Sequence, residues 1–243
     1  MKSNLFIAEQ FRDQACCNID QGINLWHLIN HVIWANIPGD IVELGCLSGR
    51  TAAMLGKTLQ EAGDDRTLFL YDSFEGLPQP DEDDGPILLI PENFKTPKEG
   101  VAERFQELGL RQPNIIPGWF CDTLPDQLPE VIAFAHVDGD IYRSIQESLN
   151  AIYPRLSPGA VVVVDDYCDD DLSRRIEEAY NNNSYHLNPY GGEGDQPPSR
   201  KYYIGNWLPS VKRACEEFLA DKPEEMTLLI AGEEKHGLFR KVS

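Results

Sequence analysis

Two apolar runs, each stopping abruptly at a pair of aspartates, constrain this chain more than any other feature. The first, Val131-Ile-Ala-Phe-Ala-His-Val137, stops at Asp138-Gly-Asp140. The second, Ala160-Val-Val-Val-Val164, stops at Asp165-Asp166-Tyr167. Between them lie a stretch of helical character, Ile141 to Tyr153, and the turn Ser157-Pro-Gly159. Two β-branched runs joined by a helix read as a right-handed βαβ unit with parallel strands. Parallel strands are covered on both faces, which is why such runs are continuously apolar rather than alternating. Both runs therefore end on one edge of the sheet, the carboxyl edge, where open α/β folds bind their ligands.

That placement brings Asp138, Asp140, Asp165 and Asp166 close together. Carboxylates gathered at one crevice repel one another unless a positive charge sits among them. An all-oxygen set suits a hard cation, Mg2+ or a relative, better than zinc. Any one of these acids could simply cap a strand end. Two pairs on the same edge favour a site.

Length and charge narrow the function classes. At 243 residues the chain can form one large domain or two small ones. It holds 21 Lys and Arg against 40 Asp and Glu, a net charge of −19. That balance argues against nucleic acid and against anionic membrane surfaces, both of which need basic patches. Cys16, Cys17, Cys46, Cys121, Cys168 and Cys215 show no C-x-x-C pair and no zinc-like spacing. Without a secretory leader or a span-length apolar run, the expectation is a cytoplasmic protein with reduced thiols.

In chain order, residues 4–17 and 23–36 read as amphipathic helices, with His27 and His31 as surface or packing residues on the second. Asp40-Ile-Val-Glu-Leu-Gly45 is the first strand. Gly45-Cys-Leu-Ser-Gly49 turns it into a helix from Arg50 to about Gln60. A strand, a glycine turn and a helix N-terminus make a nucleotide-binding corner. The spacing Gly45-x-x-x-Gly49 is a poor pyrophosphate cradle, so the corner suits a ligand without phosphate. Glu43 is placed to meet a positive group. Strand Thr67 to Tyr71 ends at Asp72, where an acid can accept hydrogen bonds from ribose hydroxyls.

Residues 77–100 are rich in Pro, Asp, Glu and Gly and read as a mobile flap, with Asp81 to Gly85 solvated. A helix over 101–108 and a strand over 114–117 follow. Trp119 and Phe120 come next, able to sandwich a purine or simply to plug a loop. Residues 172–209, polar, aromatic and aperiodic, read as an inserted lid-like segment. A helix over 210–219 and strands over 226–231 and 238–242 close the chain, with Gly232 to Gly237 as a hairpin turn. The sum is an α/β fold in a single domain, 1–243: a seven-stranded, mostly parallel sheet with a C-terminal antiparallel hairpin, helices on both faces and N-terminal helices over 1–36.

These residues together resemble the macrocin-type (TylF-like) S-adenosylmethionine-dependent O-methyltransferases. The resemblance runs from Gly39 to Asp166. It rests on Gly39-Asp-Ile-Val-Glu-Leu-Gly45, Asp72-Ser-Phe-Glu-Gly-Leu-Pro78, Gly118-Trp-Phe120, Thr123-Leu-Pro125, Asp138-Gly-Asp-Ile-Tyr142, Leu156-Ser-Pro-Gly159 and Asp165-Asp-Tyr167. It implies a class I, Rossmann-like methyltransferase fold and Mg2+-assisted methyl transfer from S-adenosyl-L-methionine to a hydroxyl of a sugar or polyol. By the same resemblance, Asp138, Asp165 and Asp166 are expected as metal ligands and Asp140 as general base. Glu43, Gly45, Ser48, Asp72, Ser73, Trp119, Phe120 and Asp138 are expected at the cofactor. His136 stands where the family commonly has arginine, and Ile145 where it usually has threonine. The expected partner is a small-molecule hydroxyl acceptor, with a homo-oligomer admissible. Two other classes stay open: a metal-dependent glycosyltransferase using Asp138-Gly-Asp140 as its D-x-D motif, and a non-catalytic binding module on the same fold.

Overall fold

A computed structural model describes residues 2–11, 18–85, 91–167, 208–231 and 234–243. Fourteen principal elements follow in order: α1 (Lys2–Phe11), α2 (Ile19–Trp34), β1 (Asp40–Leu44), α3 (Arg50–Ala62), β2 (Leu68–Asp72), α4 (Lys98–Glu107), β3 (Asn114–Pro117), α5 (Phe120–Gln127), β4 (Ile132–Val137), α6 (Tyr142–Ile152), β5 (Leu156–Val164), α7 (Pro209–Leu219), β6 (Thr227–Ala231) and β7 (Glu234–Arg240). The strands form one sheet in the order β3-β2-β1-β4-β5-β7-β6. The pairs from β3 to β5 are parallel, and β7 runs antiparallel to both β5 and β6. The expected seven strands and terminal hairpin are present.

Burial explains the composition of the strands. All six residues of β4 are buried, as are the last five of β5. One face packs Val42, Leu44, Ala135, Val137, Val162 and Val164 against apolar residues of α5, α6 and α7. The other packs Ile41, Leu70, Phe134, Val161 and Val163 against residues of α1, α2, α3 and α4. Fully burying one Val, Leu or Phe stabilises a fold by about 1.5–3 kcal/mol, so the continuous runs are what hold the central strands in place.

Several elements differ from expectation for local reasons. Residues 120–127 form a helix, which Gly118 and Pro125 had masked in the sequence. The hairpin turn is shorter than its composition suggested: β7 begins at Glu234, so His236 and Gly237 lie within a strand. The acidic run after Leu77 is pinned. Asp84 is 2% exposed; its Oδ1 accepts from Tyr142 N at 2.7 Å and its Oδ2 from Asp81 N at 3.0 Å. It thereby caps the N-terminus of α6 from a distant loop, a role that the N-cap residue Ile141 cannot fill. Of the expected lid segment, residues 172–207 lie outside the described residues, as do Cys16, Cys17 and Cys168. Residues 208 and 209 lead into α7. Among the described residues no helix is long and apolar enough to cross a membrane. His27 and His31 lie exposed on α2.

Candidate active site

The carboxyl edge is extended by backbone pairing beyond the strands themselves. Asp138 N donates to Leu44 O at 2.8 Å, and Asp165 N to Val137 O at 2.9 Å. The acids therefore sit on a continuation of the sheet. One oxygen each from Asp138, Asp140 and Asp166 lie within 4.8 Å of one another. A second set joins Asp138 to one ring nitrogen of His136 and one oxygen of Asp165, also within 4.8 Å. The three expected ligands Asp138, Asp165 and Asp166 thus fall into two sets that share Asp138. Asp140, expected as a base, stands in the first.

Backbone strain gathers at this rim. Among the described residues five non-glycines have positive φ, and four of them, Leu47, Phe74, Asp140 and Asp166, follow the ends of β1, β2, β4 and β5. A left-handed backbone at such residues costs of order 1–3 kcal/mol and persists only where its surroundings enforce it. At Asp140 and Asp166 the reward is two carboxylates turned toward Asp138. Gly45 is required here for a different reason: with φ +91°, an added Cβ would collide with the Asp138 carbonyl oxygen.

The electrostatics match a set of acids without an internal counter-charge. Burial, then the charge of Asp165, pushes the Asp140 carboxyl up to about 7; its hydrogen bond with Asp166 acts in the opposite direction. Burial, with Asp165 and Asp140, holds Asp138 well above the usual carboxylate range. Asp165 moves the other way. Burial would raise it, but the charges of His236 and His136 outweigh that effect and lower it.

Beneath the rim runs a buried polar row. Register sets Glu43 of β1 beside His136 of β4, and His136 Nδ1 lies 3.0 Å from Glu43 Oε1. Both side chains are almost fully buried, at 1% and 2% exposure. Burial raises the Glu43 carboxyl despite its imidazole partner. Burial opposes charging His136, yet Glu43 and Asp165 outweigh it and raise that ring. Asp165 Oδ1 accepts from Gln21 Nε2 at 2.9 Å. Gln21 reaches it from a capping box, in which its own N and Oε1 exchange hydrogen bonds with Asn18. His236 Nε2 stands 3.0 Å from the same Asp165 oxygen, a close ion-pair distance without the alignment of a hydrogen bond.

Beside the acids opens a cavity, continuous with solvent and lined by Gly45, Asp72, Ser73, Trp119, Phe120 and Asp138 among others. Six of the eight residues expected at the cofactor therefore share one wall system. The other two do not line it. Glu43 is buried against His136, and the Ser48 carbonyl accepts from Arg104 Nε at 2.8 Å. Asp72 also shapes the glycine turn: its Oδ2 accepts from Cys46 N and Leu47 N at 3.0 and 2.8 Å, and its Oδ1 from Phe74 N at 2.8 Å. A carboxylate offers about four acceptor positions, so roughly one remains for a ligand. Sequence reasoning passed over Gln21, read Asp84 as part of a solvated loop and His236 as part of a turn, and left His136 without a role. Only strand register and helix packing bring them to the site.

The family model for macrocin-O-methyltransferase (TylF) matches residues 21–189. The chain belongs to the macrocin-O-methyltransferase family. It is 36% identical over 156 residues to the 8-demethyl-8-(2,3-dimethoxy-alpha-L-rhamnosyl)-tetracenomycin-C 4'-O-methyltransferase of Streptomyces olivaceus, a match covering 60% of each chain. It is 34% identical over 171 residues to the mycinamicin III 3''-O-methyltransferase of Micromonospora griseorubida, covering 64% of this chain and 65% of that one. The chain thus spans about three fifths of the length of the curated relatives it matches. The solved O-methyltransferase NovP superposes with a TM-score of 0.67 at 25% identity, over 93% of this chain and 81% of that one. The S-adenosylmethionine complex of TomG from Streptomyces achromogenes shares the fold, with a TM-score of 0.59 at 18% identity over 100% of this chain and 91% of that one. The sheet is therefore that of the class I, Rossmann-like methyltransferases.

Proposed function

We propose that this member of the macrocin-O-methyltransferase family transfers a methyl group from S-adenosyl-L-methionine to a hydroxyl of a sugar or polyol moiety on a natural product, assisted by Mg2+. We read the chain as one domain doing so. The observation that carries the proposal is the convergence of Asp138, Asp140 and Asp166 within 4.8 Å beside a cavity that Asp138 also lines. The relatives' names, each an O-methyltransferase and one of a rhamnosyl compound, support the acceptor class. Family membership favours this reading over a sugar-nucleotide role for Asp138-Gly-Asp140.

The residues present fit both groups. The cavity's Trp119 and Phe120 walls suit an adenine, and its acids complement a cationic donor. Gly45, Asp72, Ser73, Trp119, Phe120 and Asp138 would hold the cofactor. The acids converge without a basic partner in their set, and their all-oxygen chemistry is that of a Mg2+ site; Asp138 and Asp166 would hold the ion, with Asp140 beside them. Bound, the two groups supply a sulfonium methyl and a Lewis acid that acidifies a coordinated hydroxyl.

The chain's own part is positioning and proton transfer. Asp140, held near neutrality by burial and by Asp165, is suited to accept the acceptor's proton on a carboxylate oxygen, because a base works best near the operating pH. The left-handed backbone at residues 140 and 166 fixes both carboxylates before any substrate arrives, so orientation is settled in advance. Asp165 steadies the floor through Gln21 and His236.

Calorimetry with S-adenosyl-L-methionine, followed by methyl-transfer assays on rhamnosylated and other diol-bearing acceptors with and without chelator, tests the proposal. Cofactor binding and chelator-sensitive transfer are expected. A folded protein that does not bind the cofactor would sink it.

A further inference from the structure

Away from the acid rim, the outer face of α2 is unlike those of its neighbours. α3, α6 and α7 each set an oppositely charged pair one turn apart: Lys57 with Glu61, Arg143 with Glu147 and Lys212 with Glu216. At the same spacing α2 carries two histidines, His27 and His31, both exposed. We infer that this face of α2 docks against a second copy of the chain, and that a divalent d-block ion of the Zn2+ type, held by His27 and His31 of each copy, closes the contact.

Three observations carry the inference. The first is charge. Charged residues make up 25% of the chain and leave it at −19, yet from Gln21 to Gly39 there is no Asp, Glu, Lys or Arg. The core explains the inward part of that run, because α2 buries Leu25, Ile29 and Val32. It does not explain His27, His31, Trp34 and Asn36, which are exposed. Two copies that each carry −19 repel one another, so they can approach closely only where neither presents charge. Interface centres are depleted of charged residues and enriched in aromatics. The second observation is Trp34, which is 85% exposed. It follows His31 by three residues and so lies on the same stripe. A solvated indole forgoes the burial that makes aromatic residues strong contributors to cores and interfaces, and a docked copy would supply it.

The third observation is the donor set. Residues one turn apart on a helix have Cβ atoms about 5–6 Å from each other, the spacing by which helical histidine pairs hold zinc. Among the described residues neither ring is engaged by a hydrogen bond or an ion pair. His27 rests edge-on against Trp26, with ring centroids 4.8 Å apart, which restricts its rotation. Both ends of α2 are pinned, by the capping box at Asn18 and Gln21 and by Ala35 N donating to His31 O at 2.8 Å. The acid in this helix, Asp20, lies about 10 Å along the axis from His27, too far to join the set. Two imidazoles are half of the tetrahedral shell that zinc prefers, and imidazole suits zinc, copper and nickel rather than Mg2+. A twofold axis through the ion brings in the identical pair of a second copy, the isologous arrangement of a symmetric dimer. A helix of this length offers a face about 24 Å by 10 Å, well short of the roughly 800 Å² per partner of a stable interface, so the ion rather than the area carries the affinity. The rival account is two unlinked surface imidazoles beside a solvated tryptophan.

The test is analytical ultracentrifugation of the full-length chain, first with chelator and then, after the chelator is removed, in excess Mg2+ with Zn2+ or Co2+ added. The expected result is a monomer in chelator or Mg2+ alone and a dimer with Zn2+. Co2+ should give the visible spectrum of a four-coordinate nitrogen site, at one such ion per two chains. His27→Ala and His31→Ala should each weaken the Zn2+-dependent association at least about tenfold, the scale on which metal sites respond to lost ligands and their partners. Trp34→Glu keeps both ligands but sets like charges against each other across the contact, and should also weaken it at least about tenfold. All three side chains are exposed, so the variants should fold, and circular dichroism checks that they do. A monomer in Zn2+, a dimer that survives chelator, or Zn2+-dependent association unchanged in either histidine variant or in Trp34→Glu overturns the inference. No readout involves the cofactor or methyl transfer, so this inference stands or falls apart from the proposed function.

Discussion

Acidification should weaken ion binding at the rim, by an amount that the Asp140 carboxyl sets. That group is pushed from 3.8 to about 7 by burial and by Asp165. A bound divalent ion favours its ionised form, so ion and proton compete. With a free-state value of about 7, the proton weakens apparent ion affinity by the factor 1 + 10^(pKa − pH), which is about 11 at pH ~6, about 2 at pH ~7 and about 1.1 at pH ~8. Mg2+ affinity should thus fall about tenfold between pH ~8 and pH ~6, equivalent to about 1.4 kcal/mol. Binding near pH 6 should release about 0.9 proton, and near pH 7 about one half. Asp138, also raised, would steepen the trend and never reverse it. Calorimetry in buffers of different ionisation enthalpy measures affinity and proton release together. A flat affinity across that range with no proton released would refute the reasoning, because it would mean that the acids are already ionised without the ion.

Three further outcomes are expected. Asp140→Asn should lower kcat by about 10²–10⁴-fold, the usual contribution of a general base, with the cofactor affinity measured by calorimetry largely kept; a full-rate variant would exclude the base. The chelated protein should melt at progressively lower temperature as pH rises from about 4 to about 7. The folded value of Asp140 lies above its unfolded one, so its contribution to stability is present below the unfolded value and lost as pH rises through the folded one. Asp165, shifted down, opposes this only at acid pH; Mg2+ should restore the loss, and thermal scans read both. Asp84→Ala, which removes the cap from α6, should cost about 0.5–2 kcal/mol in denaturant unfolding and lower activity too, since α6 follows directly on Asp140; an unchanged midpoint would contradict the capping role.

How far the sequence could be read depended on whether the signal was local. The runs of β4 and β5 and the acids that end them were legible, because a strand covered on both faces needs apolar residues throughout and the βαβ rule fixes which ends meet. Asp138, Asp140, Asp165 and Asp166 were therefore gathered correctly at one edge, though not their division into two sets, which depends on the left-handed turns at residues 140 and 166. His236 was read as part of a turn, since Gly232-Glu-Glu-Lys-His-Gly237 looks like one; only its pairing with Leu229 of β6 shows it in a strand. His136 was marked only as standing where the family commonly has arginine, until register set Glu43 beside it. Asp84 was lost in an acidic loop whose composition says solvent, because its partner is 58 residues away.

The position of β7 between β5 and β6 has a consequence for how the molecule is made. Gly237 pairs with Val164, so the outer edge of β5 stays bare while the ribosome adds the roughly 70 residues between them. Throughout that interval an emerging chain would display a row of unpaired backbone groups on its most apolar strand, open to the wrong neighbour. Expression of this protein should accordingly be sensitive to chaperone supply and to translation speed beyond residue 164. Both can be varied in a cell-free system, with the soluble fraction as the measure.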